Sequence, residues 1–144
     1  MVKKAEKCDL ESAVNLAIEL WETSSVKELT EEFVETFSDE ETEIFLKYEG
    51  GIPVGFAQCS LRHDYVEGTE SSPVGYLEGI YVKEKFRNRG YAKELLRACE
   101  KWAKNKGCSE FASDCELDNV NSLLFHKAVN FTEAKRIICF TKRL

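Results

Sequence analysis

The sequence predicts an α/β fold of the mixed α+β kind, one central sheet flanked by helices, in the order β-α-α-β-β-β-α-β-α-β-β. Segments with helical spacing of apolar residues interrupt short segments of period two along the 144 residues. A Gly-Gly pair at positions 50 and 51 separates two apolar runs, as an antiparallel hairpin requires. No Gly-x-Gly-x-x-Gly follows the first predicted strand, which disfavours a doubly wound dinucleotide fold.

Taken in order, residues 2–7 read as a first strand. Asp9 is an expected N-cap for a helix over residues 10–21, with Leu10, Val14, Ala17, Ile18 and Trp21 at helical spacing. A second amphipathic helix is expected over residues 26–37, with Leu29, Phe33, Val34 and Phe37 on one face. Residues 43–49 and 52–61 form the hairpin. A polar loop over residues 63–73 then leads to a strand ending at Val82. A helix over residues 91–106 carries Ala92, Leu95, Leu96, Cys99, Trp102 and Ala103, with Gly107 just past its end. A short strand (108–113) and a short helix (119–129) follow, with Asn130 suited to a left-handed C′ position. Residues 131–143 alternate well enough for one or two final strands.

Composition bounds the class. With 43% hydrophobic and 32% charged residues and two prolines, the chain is expected to be one domain over residues 1–144 with a real core. No apolar run approaches the ~20 residues that span a bilayer, and the first residues show no secretory h-region, so no membrane partner is expected. Six cysteines, at 8, 59, 99, 108, 115 and 139, include no Cys-x-x-Cys pair and fall mostly in apolar segments. They read as buried, reduced thiols in a cytoplasmic protein, with no metal site.

Charge is unevenly distributed. Residues 83–93 hold five basic side chains and one acid, a local charge of +4 in a chain of −6. Such an island points to one anionic ligand at one place rather than to a nucleic-acid surface. The order strand, Arg87-Asn88-Arg89-Gly90-Tyr91-Ala92, helix is how a fold offers backbone N–H groups to a diphosphate, and Gly90 and the small Ala92 leave the anion room. A solvated basic loop is the competing reading of these residues alone.

Residues 87–92 resemble the Arg/Gln-x-x-Gly-x-Gly/Ala signature of the GCN5-related N-acetyltransferases (GNAT), and residues 119–131, from Asn119 to Phe131, are similar to that family's second motif. Asn130 stands where the family usually has Gly, and His126 where many relatives carry a Tyr near the CoA sulfur. Residues 62–82 and 110–119 resemble, more narrowly, bacterial aminoglycoside 6'-N-acetyltransferases. The resemblance implies a GNAT fold, acetyl-CoA as cosubstrate, acetyl transfer to the 6'-amine of an aminoglycoside, antibiotic resistance, and a homodimer. It places pantetheine along Ile80, Tyr81 and Val82, the pyrophosphate on Arg87, Asn88, Arg89, Gly90, Tyr91 and Ala92, and further CoA contacts at Asn119 and Ser122, although Asn119 reads equally as an N-cap.

An amine attacking a thioester must be neutral and close, with donors for the oxyanion and a proton for the leaving thiolate. Within the resembling segments, Asp114 is the favoured base and Glu78 its amine-anchoring partner, with their roles exchangeable. His126 is a candidate thiolate donor, with solvent as the alternative. Trp21 and Tyr65 match aromatic positions of the similar branch and are expected to pack on sugar rings or cations. The loop before the CoA strand, with Asp64, Glu67 and Glu70, is the sharper acceptor candidate. Nine acids against one lysine in residues 22–43 read mainly as the wet faces of two helices. Two further readings remain open: an acetyltransferase for another amine, and a non-catalytic acyl-CoA-binding module.

Overall fold

The computed structural model describes residues 1–144. Its elements are β1 (Val2–Lys4), α1 (Leu10–Leu20), α2 (Val26–Thr36), β2 (Thr42–Glu49), β3 (Ile52–Arg62), β4 (Val74–Val82), α3 (Tyr91–Asn105), β5 (Phe111–Ala112) and α4 (Val120–Ala128). The sheet runs β1-β2-β3-β4-β5, antiparallel except for the parallel β4–β5 pair.

Alternation along the central strands builds two cores. Ile44, Leu46 and Phe56 face α1 and α2, where they pack with Val14, Leu16, Ala17, Leu29 and Phe33. Ala57, Cys59, Leu77 and Val82 face the other way, onto Leu95, Leu96 and Cys99 of α3. Leu95, Cys99 and Ala103 recur every four residues and form the buried stripe of that helix. Phe33 and Phe56 are fully buried, each stabilising the fold by about 2–3 kcal/mol through the apolar surface it removes from water.

Local chemistry fixes the helix starts unequally. Ser25 caps α2, its hydroxyl accepting the Glu28 N–H at 3.1 Å. Asp9 precedes α1 but does not cap it: its carboxylate accepts from the Glu6 N–H and Lys3 Nζ, both at 2.9 Å, and from the Tyr48 hydroxyl at 3.0 Å. The expected cap is instead a buried tie between β1, β2 and the turn before α1.

The one or two final strands expected in residues 131–143 do not form, and the structure replaces them with a segment lacking helix or strand. Ile137, Ile138 and Phe140 are 59%, 80% and 87% exposed, so the alternating side chains find no sheet within the chain to pair with. The expected strand at 108–113 shortens to the two residues of β5. A register shift opposite Gln58 and Cys59 leaves Glu78 as the extra residue of a bulge in β4, and the ladder to β5 ends two residues earlier, at Tyr76↔Ala112. Of the cysteines, only Cys59 and Cys99 are fully buried; Cys108 is half-buried and Cys8, Cys115 and Cys139 are exposed, which corrects the uniform burial expected of them.

Candidate active site

Two sets of groups meet along β4. Beyond Tyr76 its outer edge has no strand partner, so backbone groups from Leu77 to Val82 line an open cleft. The cleft ends at the glycine turn. Gly90 stands at the start of α3 with φ 82°, and Asn88 also has positive φ, 61°. Left-handed residues alternating with ordinary ones turn successive N–H groups inward, the geometry of an anion nest. A side chain at Gly90 would meet nothing within 4 Å, so the cradle in front of the α3 N-terminus is open. These features fit the diphosphate and pantetheine arm of CoA. The basic side chains are partly committed: Arg87 Nε donates to the Val82 carbonyl at 2.8 Å, and Arg89 pairs with Glu49 at 3.0 Å. Ile80 and Val82 point to the α3 side, whereas Tyr81 faces α1. Burial and its hydrogen bond to Glu19 push the Tyr81 phenol up to about 12.

The second set lies on the α1 face. Its strand positions repeat every two residues, Ser60 and Arg62 on β3, Tyr76 and Glu78 on β4, and the bulge turns the Glu78 carboxylate onto that face. Ser60 donates to Glu78 Oε1 at 2.5 Å. Arg62 grips the same carboxylate, with Nε 3.1 Å from Oε1 and Nη2 2.9 Å from Oε2. The guanidinium also stacks on the Tyr76 ring, 3.5 Å from its centroid. Tyr76 in turn donates its phenolic hydrogen to Asp114 Oδ2, while Asp114 Oδ1 accepts none of the chain's own hydrogen bonds. Burial first, then the bond to Asp114, push the Tyr76 phenol above its ordinary value, so it stays a donor. Burial opposes the charge on Arg62, but the bond to Glu78 outweighs it and the guanidinium titrates above its usual range.

The remaining sequence candidates fall unevenly around this site. Trp21 lies against β4 beside Glu78, because a Cβ on Gly79 would sit 2.5 Å from its ring. Tyr65 is 76% exposed on the loop, and Glu67 pairs with Lys135 at 3.6 Å. Asn119 caps α4, accepting the Ser122 N–H at 3.1 Å, so its side-chain oxygen is already committed. His126 Nδ1 lies 2.6 Å from the Ser122 carbonyl and must carry the hydrogen; Nε2 then accepts from the Ser113 hydroxyl at 2.8 Å. Nδ1 is thus tied within α4 itself, and Nε2 braces the helix against Ser113 just after β5. Residue patterns alone missed Ser60 and Tyr76, and singled out no role for Arg62. Their period-two placement on adjoining strands was the available signal.

No group of three or more His, Cys, Asp or Glu side chains gathers as metal ligands, and no helix is long and apolar enough to cross a membrane. Residues 9–131 match the model of the Acetyltransferase (GNAT) family. The aminoglycoside N(6')-acetyltransferase type 1 of Acinetobacter haemolyticus is 37% identical over 143 residues, covering 99% of this chain and 98% of its own. That of Salmonella typhimurium is 48% identical over 99 residues, 69% of this chain and 68% of its own. The structure of AAC(6')-Iy in complex with the bisubstrate analog CoA-S-monomethyl-acetylneamine superposes with a TM-score of 0.97 at 38% identity, covering 100% of this chain and 98% of that one. With an open strand edge, a glycine nest at a helix N-terminus and relatives of this kind along its whole length, the chain belongs to the GNAT family of acetyltransferases.

Proposed function

We propose that this protein is an acetyl-CoA-dependent aminoglycoside 6'-N-acetyltransferase that confers antibiotic resistance. The observation that carries the reading is the bulge at Glu78. It turns the Glu78 carboxylate onto the face where the Tyr76 hydroxyl holds a second carboxylate, Asp114, which supports an acceptor site at the end of the unpaired strand edge. Carboxylates suit a polycationic acceptor, and relatives of matching length are named for that acceptor.

Bound acetyl-CoA supplies the acyl carbon and a thiolate leaving group. In this chain, Ile80, Tyr81, Val82 and the nest from Arg87 to Ala92 hold the cosubstrate, with Asn119 and Ser122 at the mouth of α4. Glu78 and Trp21 orient the ammonium, with Tyr65 and Glu67 along the loop. Asp114 takes the proton through its free Oδ1. The nitrogen lone pair then forms the C–N bond as the C–S bond breaks, and backbone N–H groups near Val82 receive the charge on the carbonyl oxygen. His126 is spent as a brace, so the thiolate takes its proton from solvent.

The protein acts as one N-acetyltransferase domain over residues 1–144, without nucleic-acid or membrane partners, in the cytoplasm, where six unpaired cysteines are at home. It works as a homodimer. The exposed Ile137, Ile138 and Phe140 and the two-residue edge strand β5 are surfaces that two copies can satisfy in each other. Light scattering of the full chain at micromolar concentration should give twice the monomer mass, and a monomer would refute it.

Thiol release from acetyl-CoA with kanamycin A, its 6'-hydroxyl analogue and spermidine tests the reaction. Release with the 6'-amine compound alone is expected. Release with spermidine alone would keep the acetyltransferase and overturn the acceptor, and silence with all three would reject both.

A further inference from the structure

Glu78 and Asp114 are both carboxylates, yet their surroundings differ in sign. Glu78 carries a built-in counter-ion, for Arg62 meets both of its oxygens and Ser60 adds a third donor. Asp114 has no direct counter-ion; its hydrogen-bond partner is the neutral Tyr76 hydroxyl, and the Arg62 charge reaches it only more weakly, across the ring. Arg62 cannot drift easily from this position. Its planar fork matches the carboxylate, and its face lies on a tyrosine ring that is itself buried. The Arg62 side chain is 43% exposed and that of Glu78 27%, so the pair stands at the wall of the site rather than in the core.

We propose that Arg62 is a charge-setting and positioning residue of the acceptor site, neutralising Glu78 so that Asp114 is the one uncompensated carboxylate facing the acceptor amine. The proposal rests on the acceptor reading above. An ammonium between two free carboxylates is bound tightly but resists giving up its proton, because each neighbouring negative charge favours the charged amine. With Arg62 in place, the cluster itself sums to a single negative charge: Glu78 and Arg62 cancel, Tyr76 is neutral and Asp114 remains. Of the other acids on this side, Glu41 pairs with His63 at 2.8 Å, whereas Glu19 and Glu32 meet only the neutral Tyr81 hydroxyl and Gln58 amide and form a charge background common to all the variants below. Asp64 on the loop stands outside these pairs. Arg62 thus trades binding strength for a reactive, neutral nucleophile. It also fixes Glu78 in one orientation and, through the stack, fixes the ring that holds Asp114.

The discriminating variants are Arg62→Met, which keeps the stem over Tyr76 and deletes the charge, and the double variant Arg62→Met/Glu78→Gln, which restores the single negative charge. For Arg62→Met with kanamycin A, KM should fall several-fold. The acidic limb of the kcat–pH profile should move up by about one pH unit, with kcat below the limb lower by about tenfold. In the double variant the limb should return to its wild-type position. Arg62→Lys, which keeps the charge without the fork or the stack, should leave the limb near its wild-type place while lowering kcat. An unmoved limb in Arg62→Met, or a double variant displaced as far as the single one, overturns the proposal while leaving the acceptor reading intact. A wild-type enzyme silent toward kanamycin A overturns both.

Discussion

The two halves of β4 present opposite kinds of surface. From Gly79 to Val82 and on to Ala92, the molecule offers backbone: an unladdered strand edge, two left-handed residues and a helix N-terminus. From Ser60 to Asp114 it offers side chains, each held by another: Ser60 on Glu78, Arg62 on Glu78 and Tyr76, Tyr76 on Asp114. The first half fits a ligand carrying a long polar arm, which alternate backbone groups can follow. The second fits an amine, for which charge and its local compensation decide both affinity and reactivity. Substitutions in the cofactor half should therefore act on binding, and those in the acceptor half on turnover.

Asp114→Ala tests that division most severely. It should lower kcat by about 10²–10³-fold with little change in KM for acetyl-CoA, measured by steady-state thiol release. A variant turning over like wild type would remove Asp114 from the base role. Gly90→Asp should weaken CoA by about 100-fold in calorimetric titration, because it adds a charge and a strained Cβ at φ 82° in front of the nest; circular dichroism checks that the fold survives. Unchanged affinity would mean that the diphosphate lies elsewhere. Tyr76→Phe removes one donor from Asp114 and should cost about tenfold in kcat while CoA titrates normally. A loss in CoA affinity instead would show that the two halves are not separable.

Asp9→Asn lies outside both halves and should leave kcat and CoA affinity alone. It should cost about 2 kcal/mol of stability, lowering Tm by about 6 °C. Burial raises the Asp9 carboxyl, but the Glu6 N–H, Lys3 and the Tyr48 hydroxyl outweigh it and hold it below the usual carboxylate range. Its stabilisation is thus present above the unfolded carboxyl value near 4 and is lost as pH falls through the lower folded value. Acid melts of wild type should show that loss, and melts of Asp9→Asn should lack it.

Much of the scaffold was legible in the residue pattern. The hairpin turn, the three longer helices, Gly90, Gly107 and Asn130 all depend on local preferences; Gly107 and Asn130 take positive φ as expected past their helices, and Gly90 takes it too. The final strands were not legible, since alternation in residues 131–143 says that a segment can pair without saying whether its own chain supplies an edge. Asp9 misled for a related reason: an acid before a helix reads as a cap, and only the packing of β1 on β2 brings Lys3 and Tyr48 to it.

By itself, then, the sequence determined the order of elements up to α4 and the glycine turn that opens α3, because turns and periodicity are short-range properties; it also singled out Glu78 and Asp114 as candidates. Only the tertiary structure decided which carboxylate is compensated. Arg62 and Glu78 are sixteen residues apart, and Tyr76 and Asp114 thirty-eight. Whether such pairs meet depends on strand register and on one bulge, and a single-residue slip would turn each side chain to the opposite face.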